Sequence, residues 1–343
     1  MVEKRNPQTE LWEKASQSRR ATALAHPNIA FIKYWGNTDD GLRLPVNPSL
    51  SMNLGTLHTI TTVTFDKNLK RDRLAINGEF VTGPAFKRVV GIIELVRTMA
   101  RFKLWAQIDS KSNFPIGSGI ASSAAAFAAL SVAATAAAGL PADEIALSRL
   151  ARRGSGSAGR SVPEGFCQWL PGNDEESVAS SVAPVDHWEL RDIVVVVSQE
   201  HKWVGSTGGH KLAQTSSLQA ARVAGATNRF EACREALLAR DLDRMGPIIE
   251  EDAVIMHGVM MSSHPPLFYW SPETMALIQA TQRWRSQGLK VYFTIDAGPN
   301  VHLICEAAQA ATVEAEARKI PGVSNVLSSG PGGEARLIGS FFY

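Results

Sequence analysis

Apolar and polar positions from about Thr22 to Asp66 alternate in short runs broken by turn residues, and Thr59–Phe65 (TITTVTF) has the period of two and the β-branching of a strand. The opening is therefore expected to be β-rich, behind a polar leader of about twenty residues that reads as loose or helical. The period then lengthens. In PAFKRVVGIIELVRTMARF the apolar residues recur at helical spacing, Ala121 to Leu140 is a long small-residue run, and PADEIALSRLARR begins with Pro141 and Asp143, which suit a helix start. Asp192–Glu200 (DIVVVVSQE) is a short continuous apolar run, as in a buried strand. The irregular LPGNDEESVASSVAPVDHW before it divides the chain into residues 1–188 and 189–343. In the second part the pattern predicts helices over Leu218–Ala239 and Leu242–His257, another before Gly288, a strand in KVYFTID, and a closing helix and strand. No internal repeat stands out.

Composition narrows the function classes. The 343 residues are 45% hydrophobic and 20% charged, enough for a sizeable core in one large or two smaller domains. Thirty-five basic against 33 acidic side chains leave a net charge of +2, which speaks against a nucleic-acid footprint or a polybasic membrane patch. An anionic small molecule would have to be bound locally. Cys167, Cys233 and Cys305 are odd in number and lack C-x-x-C spacing, so neither a disulfide framework nor a zinc site is expected, and a reducing cytoplasm fits best. Ala121–Leu140 has the length of a membrane span, but its alanines contribute little transfer energy and it contains Ser122, Ser123, Ser131 and Thr135; a buried helix is the expectation.

Four segments carry candidate chemistry. In AHPNIAFIKYWGN, Lys33 follows an apolar run, where an unpaired ammonium is costly, so a partner is expected. In NFPIGSGIASSAAAFAAL, Gly117, Ser118 and Gly119 permit close backbone approach to a ligand, and Ser122 and Ser123 stand where the loop enters the long helix. Such a helix start is either an anion site or a tight turn beside a small-residue interface. It is no Walker loop, because G-x-x-x-x-G-K-[ST] is missing, and Ser122 occupies the third glycine position of a dinucleotide fingerprint. ARRGSGSAGRS gathers Arg152, Arg153, Ser155, Ser157 and Arg160, which is either an oxyanion clamp or a solvated loop. HKWVGSTGGHKLAQTSS repeats the glycine, serine and basic theme with Ser206 and His210. Finally, VYFTIDAGPN ends a strand on Asp296, a turn residue or an acid/base group; Lys33 is the cation that would keep it ionised.

PNIAFIKYWGN, FPIGSGIASSAAAFAAL, RRGSGSAGRS, GSTGGHK and YFTIDAGPN resemble, in order and character, the mevalonate diphosphate decarboxylases, a branch of the GHMP kinase superfamily. The resemblance covers roughly Thr22 to Ile304. It implies an α/β fold of two domains, the first like the second domain of ribosomal protein S5 and the second ferredoxin-like, with the active site in the cleft between them. It also implies a homodimer, ATP and Mg2+, and a reaction that phosphorylates the 3-hydroxyl of a 5-phosphorylated mevalonate and then expels phosphate and CO2. By the same resemblance Ser122 and Ser123, with Gly117, Ser118 and Gly119, cradle the ATP phosphates and magnesium. Asp296 serves the hydroxyl, Lys33 keeps Asp296 ionised, and Arg160 grips the substrate carboxylate. Asn28, Tyr34, Ser155 and Ser157 complete the substrate side, with Asn37, Ser206 and His210 near the phosphorylated tail.

Two positions depart from the family pattern. Asn37 stands where a lysine usually follows Tyr-Trp-Gly, and His210 where a methionine is common. Loss of a cation and gain of a protonatable group favour mevalonate 5-phosphate, giving isopentenyl phosphate, over the 5-diphosphate, giving isopentenyl diphosphate. The rivals are a mevalonate 3-kinase that does not decarboxylate and a non-catalytic binding protein on the same fold.

Overall fold

The computed structural model describes residues 7–114, 122–198 and 204–339. Its first sheet has six strands in the spatial order Arg336–Leu337, Arg20–Ala25, Thr59–Asp66, Trp105–Ser112, Arg73–Ile76 and Glu79–Phe80. Strand Thr59–Asp66 alternates buried and half-buried positions, as its period of two requires, and turns Val63 and Phe65 inward. Over that face lies the alanine-rich helix Ser122–Ala138, buried on all sides. A helix apolar all round belongs in a core. Its small side chains let the helices Gly83–Ala100 and Glu144–Gly154 pack close beside it. Among the described residues no helix is long and apolar enough to cross a membrane. The polar leader forms the helix Pro7–Ser18, which buries Ala15.

A second, antiparallel sheet runs Ala179–Ala183, Phe166–Trp169, Ser49–Asn53, Asn28–Ile32. Its first strand lies inside the segment expected to be an irregular divider. Small polar residues in SVASSVA hide the strand period, and an edge position tolerates them because only one neighbour must be satisfied. The strand Asn28–Ile32 is fully buried and delivers Lys33 at its end.

In the second domain the sheet order is Val291–Thr294, Val301–Glu306, Leu190–Val196, Asn325–Ser329, all antiparallel, with helices in the crossovers, which is the ferredoxin-like arrangement. Strand Leu190–Val196 is buried on both faces, as an unbroken apolar run demands. Ile193 and Val195 face Leu277 and Val313 on the helices Pro272–Ser286 and Ala310–Arg318. Leu190 and Val194 face Phe230 and Ile249 on the helices Gln219–Leu238 and Leu242–Met261. The latter core also takes in Ile29, Phe31, Leu50, Met52 and Phe166 of the first domain, so one apolar cluster joins the two. Each large side chain so buried contributes about 1.5–3 kcal/mol.

The chain then returns. Leu337 pairs with Ala23, and the Gln8 side chain both donates to the Leu337 carbonyl (3.1 Å) and accepts from its amide (3.2 Å). The polypeptide thus passes between the domains twice, between Ala183 and Leu190 and again between Ser329 and Arg336.

Candidate active site

Lys33 leaves the buried strand Asn28–Ile32, and its Nζ donates to Asp296 Oδ1 at 2.6 Å. The lysine side chain is 2% exposed and that of Asp296 is 24% exposed, so the pair sits at the wall of the domain junction with the carboxylate turned toward solvent. An ammonium this buried requires a counter-charge, and Asp296 supplies it. The main chain of Lys33 is fixed as well. Its amide donates to Asp252 Oδ2 (2.7 Å), and its carbonyl accepts from Arg222 Nη2 (2.7 Å) and Asn47 Nδ2 (2.9 Å).

Arg160 comes from the 3-10 turn Gly156–Ser161 and is 2% exposed. Its three nitrogens are divided among neutral acceptors: Nε to Ser51 Oγ (3.0 Å), Nη1 to Ser49 Oγ (2.6 Å) and Nη2 to Asn28 Oδ1 (3.2 Å). Among the described residues it makes no salt bridge. Burial pushes its guanidinium down to about 10, partly offset by the Asp296 charge, so it remains a cation at neutral pH. Asn28 is held in turn by donating to Ser161 Oγ (2.7 Å) and the Ser157 carbonyl (3.0 Å). A fixed guanidinium without a carboxylate partner is suited to an anionic ligand.

Tyr34 packs edge-on against Trp169 with centroids 4.7 Å apart, and its hydroxyl donates to Asn37 Oδ1. Burial pushes its phenol well above the usual range. Gly156 makes this approach possible, since a Cβ there would lie 2.5 Å from the tyrosine ring. Asn37 is 5% exposed and also donates to Asp40 Oδ1 (2.7 Å). His210, on the short helix Ser206–Leu212, stacks on Tyr34 (4.1 Å) and Trp35 (4.6 Å), and its Nδ1 accepts from the Gly36 amide at 3.0 Å. Burial, with the Arg43, Arg222 and Arg160 cations near, pushes this imidazole down to about 3. His210 thus stands as a neutral ring whose Nδ1 is already engaged, which leaves Nε2–H as its donor. Ser206, at the start of the same helix, is exposed.

Ser122 opens the helix Ser122–Ala138, which carries no acidic residue in its first turn, and Ser123 Oγ lies 3.0 Å from Ser155 Oγ. The glycine loop expected before it, Gly117, Ser118 and Gly119, lies outside the described residues. Hydroxyl oxygens at a helix start fit phosphate and a hard cation such as Mg2+. Among the described residues no cluster of three or more His, Cys, Asp or Glu could hold a metal, so an ion here would rest on hydroxyl and phosphate oxygens rather than in a carboxylate cage.

The segment ARRGSGSAGRS, which reads as either an oxyanion clamp or a solvated loop, has its first two arginines committed to the protein itself. Arg152 and Arg153, with Arg149, converge on Asp174, and Arg152 also donates to the Ser177 carbonyl. Burial alone would raise the Asp174 carboxyl, but hydrogen bonds from Arg153 and Arg149 hold it down to about 2. Those arginines are structural. Sequence reasoning also passed over Ser49, Ser51, Asn47, Arg222, Asp252 and His257, which hold Arg160, Lys33 and the Asp296 backbone. Only the serines left a signal, the alternation in SLSMN that places Ser49, Ser51 and Asn53 on one face.

Residues 25–183 match the family model for the diphosphomevalonate decarboxylase-like N-terminal domain, and residues 192–326 match that for the mevalonate 5-diphosphate decarboxylase C-terminal domain. The diphosphomevalonate decarboxylase of Candida albicans is 35% identical, over 84% of this chain and 84% of its own length. The human enzyme is 35% identical over 81% of this chain and 75% of its own. The solved mevalonate diphosphate decarboxylase of Enterococcus faecalis superposes with a TM-score of 0.87 at 35% identity, covering 94% of this chain and 99% of that one. A structure described as MDDEF in complex with MVAPP, AMPPCP and magnesium gives a TM-score of 0.88 at 35% identity over 94% and 99%. With its fold, both of its domains and its sequence relatives in agreement, the chain belongs to the diphosphomevalonate decarboxylase family of the GHMP kinase superfamily.

Proposed function

We propose that this enzyme carries out the ATP-dependent decarboxylation of mevalonate 5-diphosphate, giving isopentenyl diphosphate, ADP, phosphate and CO2. The observation that carries the reading is Arg160: a buried guanidinium held by Ser49, Ser51 and Asn28, with no carboxylate partner among the described residues, in the same cluster as the Lys33–Asp296 pair. A 3-kinase would need that second cation only to bind the substrate carboxylate; decarboxylation also needs it to hold the leaving carboxylate in line with the breaking C–O bond.

Asp296 accepts the 3-hydroxyl proton as the oxygen attacks the γ-phosphorus of ATP; an O–P bond forms and the bond to ADP breaks. An alcohol is too weak an acid to ionise first, so proton and phosphoryl transfer are coupled. Lys33 keeps Asp296 ionised and offsets charge on the transferring group. Ser122 and Ser123 hold the phosphates at the helix start together with magnesium, which would neutralise charge on the triphosphate. When the C3–O bond breaks, phosphate leaves, the electrons of the carboxylate-bearing C–C bond form the double bond, and CO2 is released from Arg160. Tyr34, Ser155, Ser157 and Asn28 line the substrate side.

The diphosphate stands first because the relatives act on it and because a neutral His210 is not the phosphate-binding cation that would favour the monophosphate. A second reading, mevalonate 5-phosphate giving isopentenyl phosphate, has one specific observation in its favour: residue 37 is a buried asparagine engaged with Tyr34 and Asp40, so this position supplies no cation to a second phosphate.

Parallel assays with mevalonate, its 5-phosphate and its 5-diphosphate, following ADP and CO2 together, test the proposal. Equal ADP and CO2, fastest with the diphosphate at low substrate, are expected. Faster turnover of the monophosphate establishes the second reading. ADP without CO2 makes the enzyme a 3-kinase, and no turnover leaves a binding protein.

A further inference from the structure

The two halves of the Lys33–Asp296 pair are 263 residues apart in the chain and belong to different domains, so nothing in either domain alone fixes their separation. Yet both are bonded to one helix. On Leu242–Met261, Asp252 Oδ2 accepts from the Lys33 amide at 2.7 Å, and five residues later His257 Nε2 lies 3.1 Å from the Asp296 carbonyl oxygen. We infer that this helix is a bracket that sets the catalytic pair, with Asp252 positioning Lys33 and His257 positioning Asp296. The inference rests on the proposed roles of Lys33 and Asp296.

Each end of the bracket is itself braced. Asp252 is fully buried, and its other oxygen accepts from Arg229 Nε at 2.9 Å. Arg229 Nη2 donates to the Arg222 carbonyl (3.0 Å), and Arg222 returns to the Lys33 carbonyl (2.7 Å), so a closed ring of hydrogen bonds surrounds the Lys33 peptide. His257 is 1% exposed and wedged against Trp270, with centroids 4.9 Å apart, and Tyr269 at 6.4 Å. A carbonyl oxygen can only accept, so Nε2 carries the proton and donates. Burial, together with the nearby Lys33 ammonium, pushes the ring down to about 3, so this donor is unchanged throughout the working pH range. The Asp296 carbonyl also accepts from the Gly298 amide two residues on (2.6 Å), a local turn contact that shapes the loop but does not tie it to the first domain. The contact from His257, by contrast, ties that loop to the helix that also holds Lys33.

A group that positions through the backbone acts on the rate rather than on ligand affinity, because a misplacement of about 1 Å costs on the order of a hundredfold in turnover. The residue-length comparison His257→Gln against His257→Asn isolates this. Glutamine carries an amide nitrogen three bonds from Cβ, as His Nε2 is, whereas that of asparagine is one bond short; the two are otherwise alike in polarity and burial cost. The Gln variant should keep kcat within about fivefold of the parent, and the Asn variant should lose on the order of ten- to a hundredfold with both KM values within about threefold. In the Asn variant alone, the acidic limb of the kcat profile should move to higher pH, because a loosened Asp296 is held less closely by the Lys33 ammonium that keeps it ionised.

A turnover-free measurement separates failure of the bracket from failure of the reaction. The titration of the Asp296 carboxyl, followed by 13C NMR and assigned with Asp296→Asn, should move upward in His257→Asn and match the parent in His257→Gln. If the parent releases no CO2 from any mevalonate the reaction is wrong, and this titration still decides the bracket. Equal titration in the Gln and Asn variants, or equal kcat loss in both with the pH limb unmoved, overturns it and leaves His257 a packing residue.

Discussion

Asp296 accepts a 2.6 Å hydrogen bond from Lys33 across the junction of two domains, with the lysine almost wholly buried and the carboxylate facing out. The geometry divides the labour. A buried ammonium keeps its partner ionised, and a partly exposed carboxylate can still meet a ligand. Replacing Asp296 by asparagine keeps the shape and removes the proton acceptor, so kcat should fall by on the order of a hundredfold or more while KM stays within a few-fold. Stopped-flow or steady-state ADP release measures it; near-parental turnover removes Asp296 from the chemistry.

Arg160 uses three nitrogens on three different acceptors, Ser51, Ser49 and Asn28. One ammonium cannot make that fork. Arg160→Lys should leave at least one of those buried acceptors without its donor and lower kcat/KM for the phosphorylated mevalonate by on the order of a hundredfold, with the KM for ATP nearly unchanged. Parental kcat/KM in this variant argues that Arg160 is a framework residue.

Substrate choice can be probed at Asn37. Its amide already donates to Asp40 at 2.7 Å, so a lysine placed there would pair with Asp40 before it met a phosphate. Asn37→Lys alone should shift the kcat/KM ratio toward the diphosphate by less than the roughly tenfold that about 1.4 kcal/mol provides. Asn37→Lys with Asp40→Asn should give the larger shift. The same ratio in parent, single and double variants means that residue 37 does not sense the substrate tail.

Acid stability follows from His210. Its imidazole is held at about 3 by burial and neighbouring cations, against the ordinary 6.5 in the unfolded chain. The sign is that of a depressed group: its contribution is fully present above pH 6.5 and is lost as pH falls toward 3, because the unfolded chain takes up a proton that the folded one refuses. Between pH 7 and 5 this amounts to about 2 kcal/mol. In His210→Met that loss should be missing, so the stability difference between parent and variant, read from urea unfolding, should move by about 2 kcal/mol in the variant's favour as pH falls from 7 to 5. Parallel pH dependence in the two proteins shows that the ring is not the proton-linked group.

The strand Thr59–Asp66 and the helix Ser122–Ala138 were legible because period and composition act locally. The Lys33–Asp296 pair was legible for a different reason: the cost of burying an ammonium after Ile-Ala-Phe-Ile demands a counter-charge, and few carboxylates follow a buried strand. Asp252 and His257 were not legible. Each occupies a helix whose amphipathic pattern needs only a face, and a polar residue on the buried side announces itself only when the opposing backbone is in place. Arg152 and Arg153 were left open between an oxyanion clamp and a solvated loop because their partner Asp174 lies about twenty residues on, and nothing in the residue order distinguishes an arginine waiting for a substrate from one already satisfied.

The return of the chain to strand Arg20–Ala25 has a mechanical consequence. A domain attached by one linker can swivel about it in any direction, but this second domain is inserted between two covalent crossings, one after Ala183 and one before Arg336. The returning segment is stitched to the first domain where it arrives: the Gly165 amide donates to the Gly332 carbonyl (2.8 Å), Gly55 to Gly330 (2.9 Å) and Ala335 to Val162 (2.9 Å). Two anchored crossings remove the free swivel that a single linker would leave, and the shared apolar cluster that includes Ile29, Phe31 and Phe166 resists separation, so Asp296 is kept opposite Lys33 by covalent connection as well as by packing.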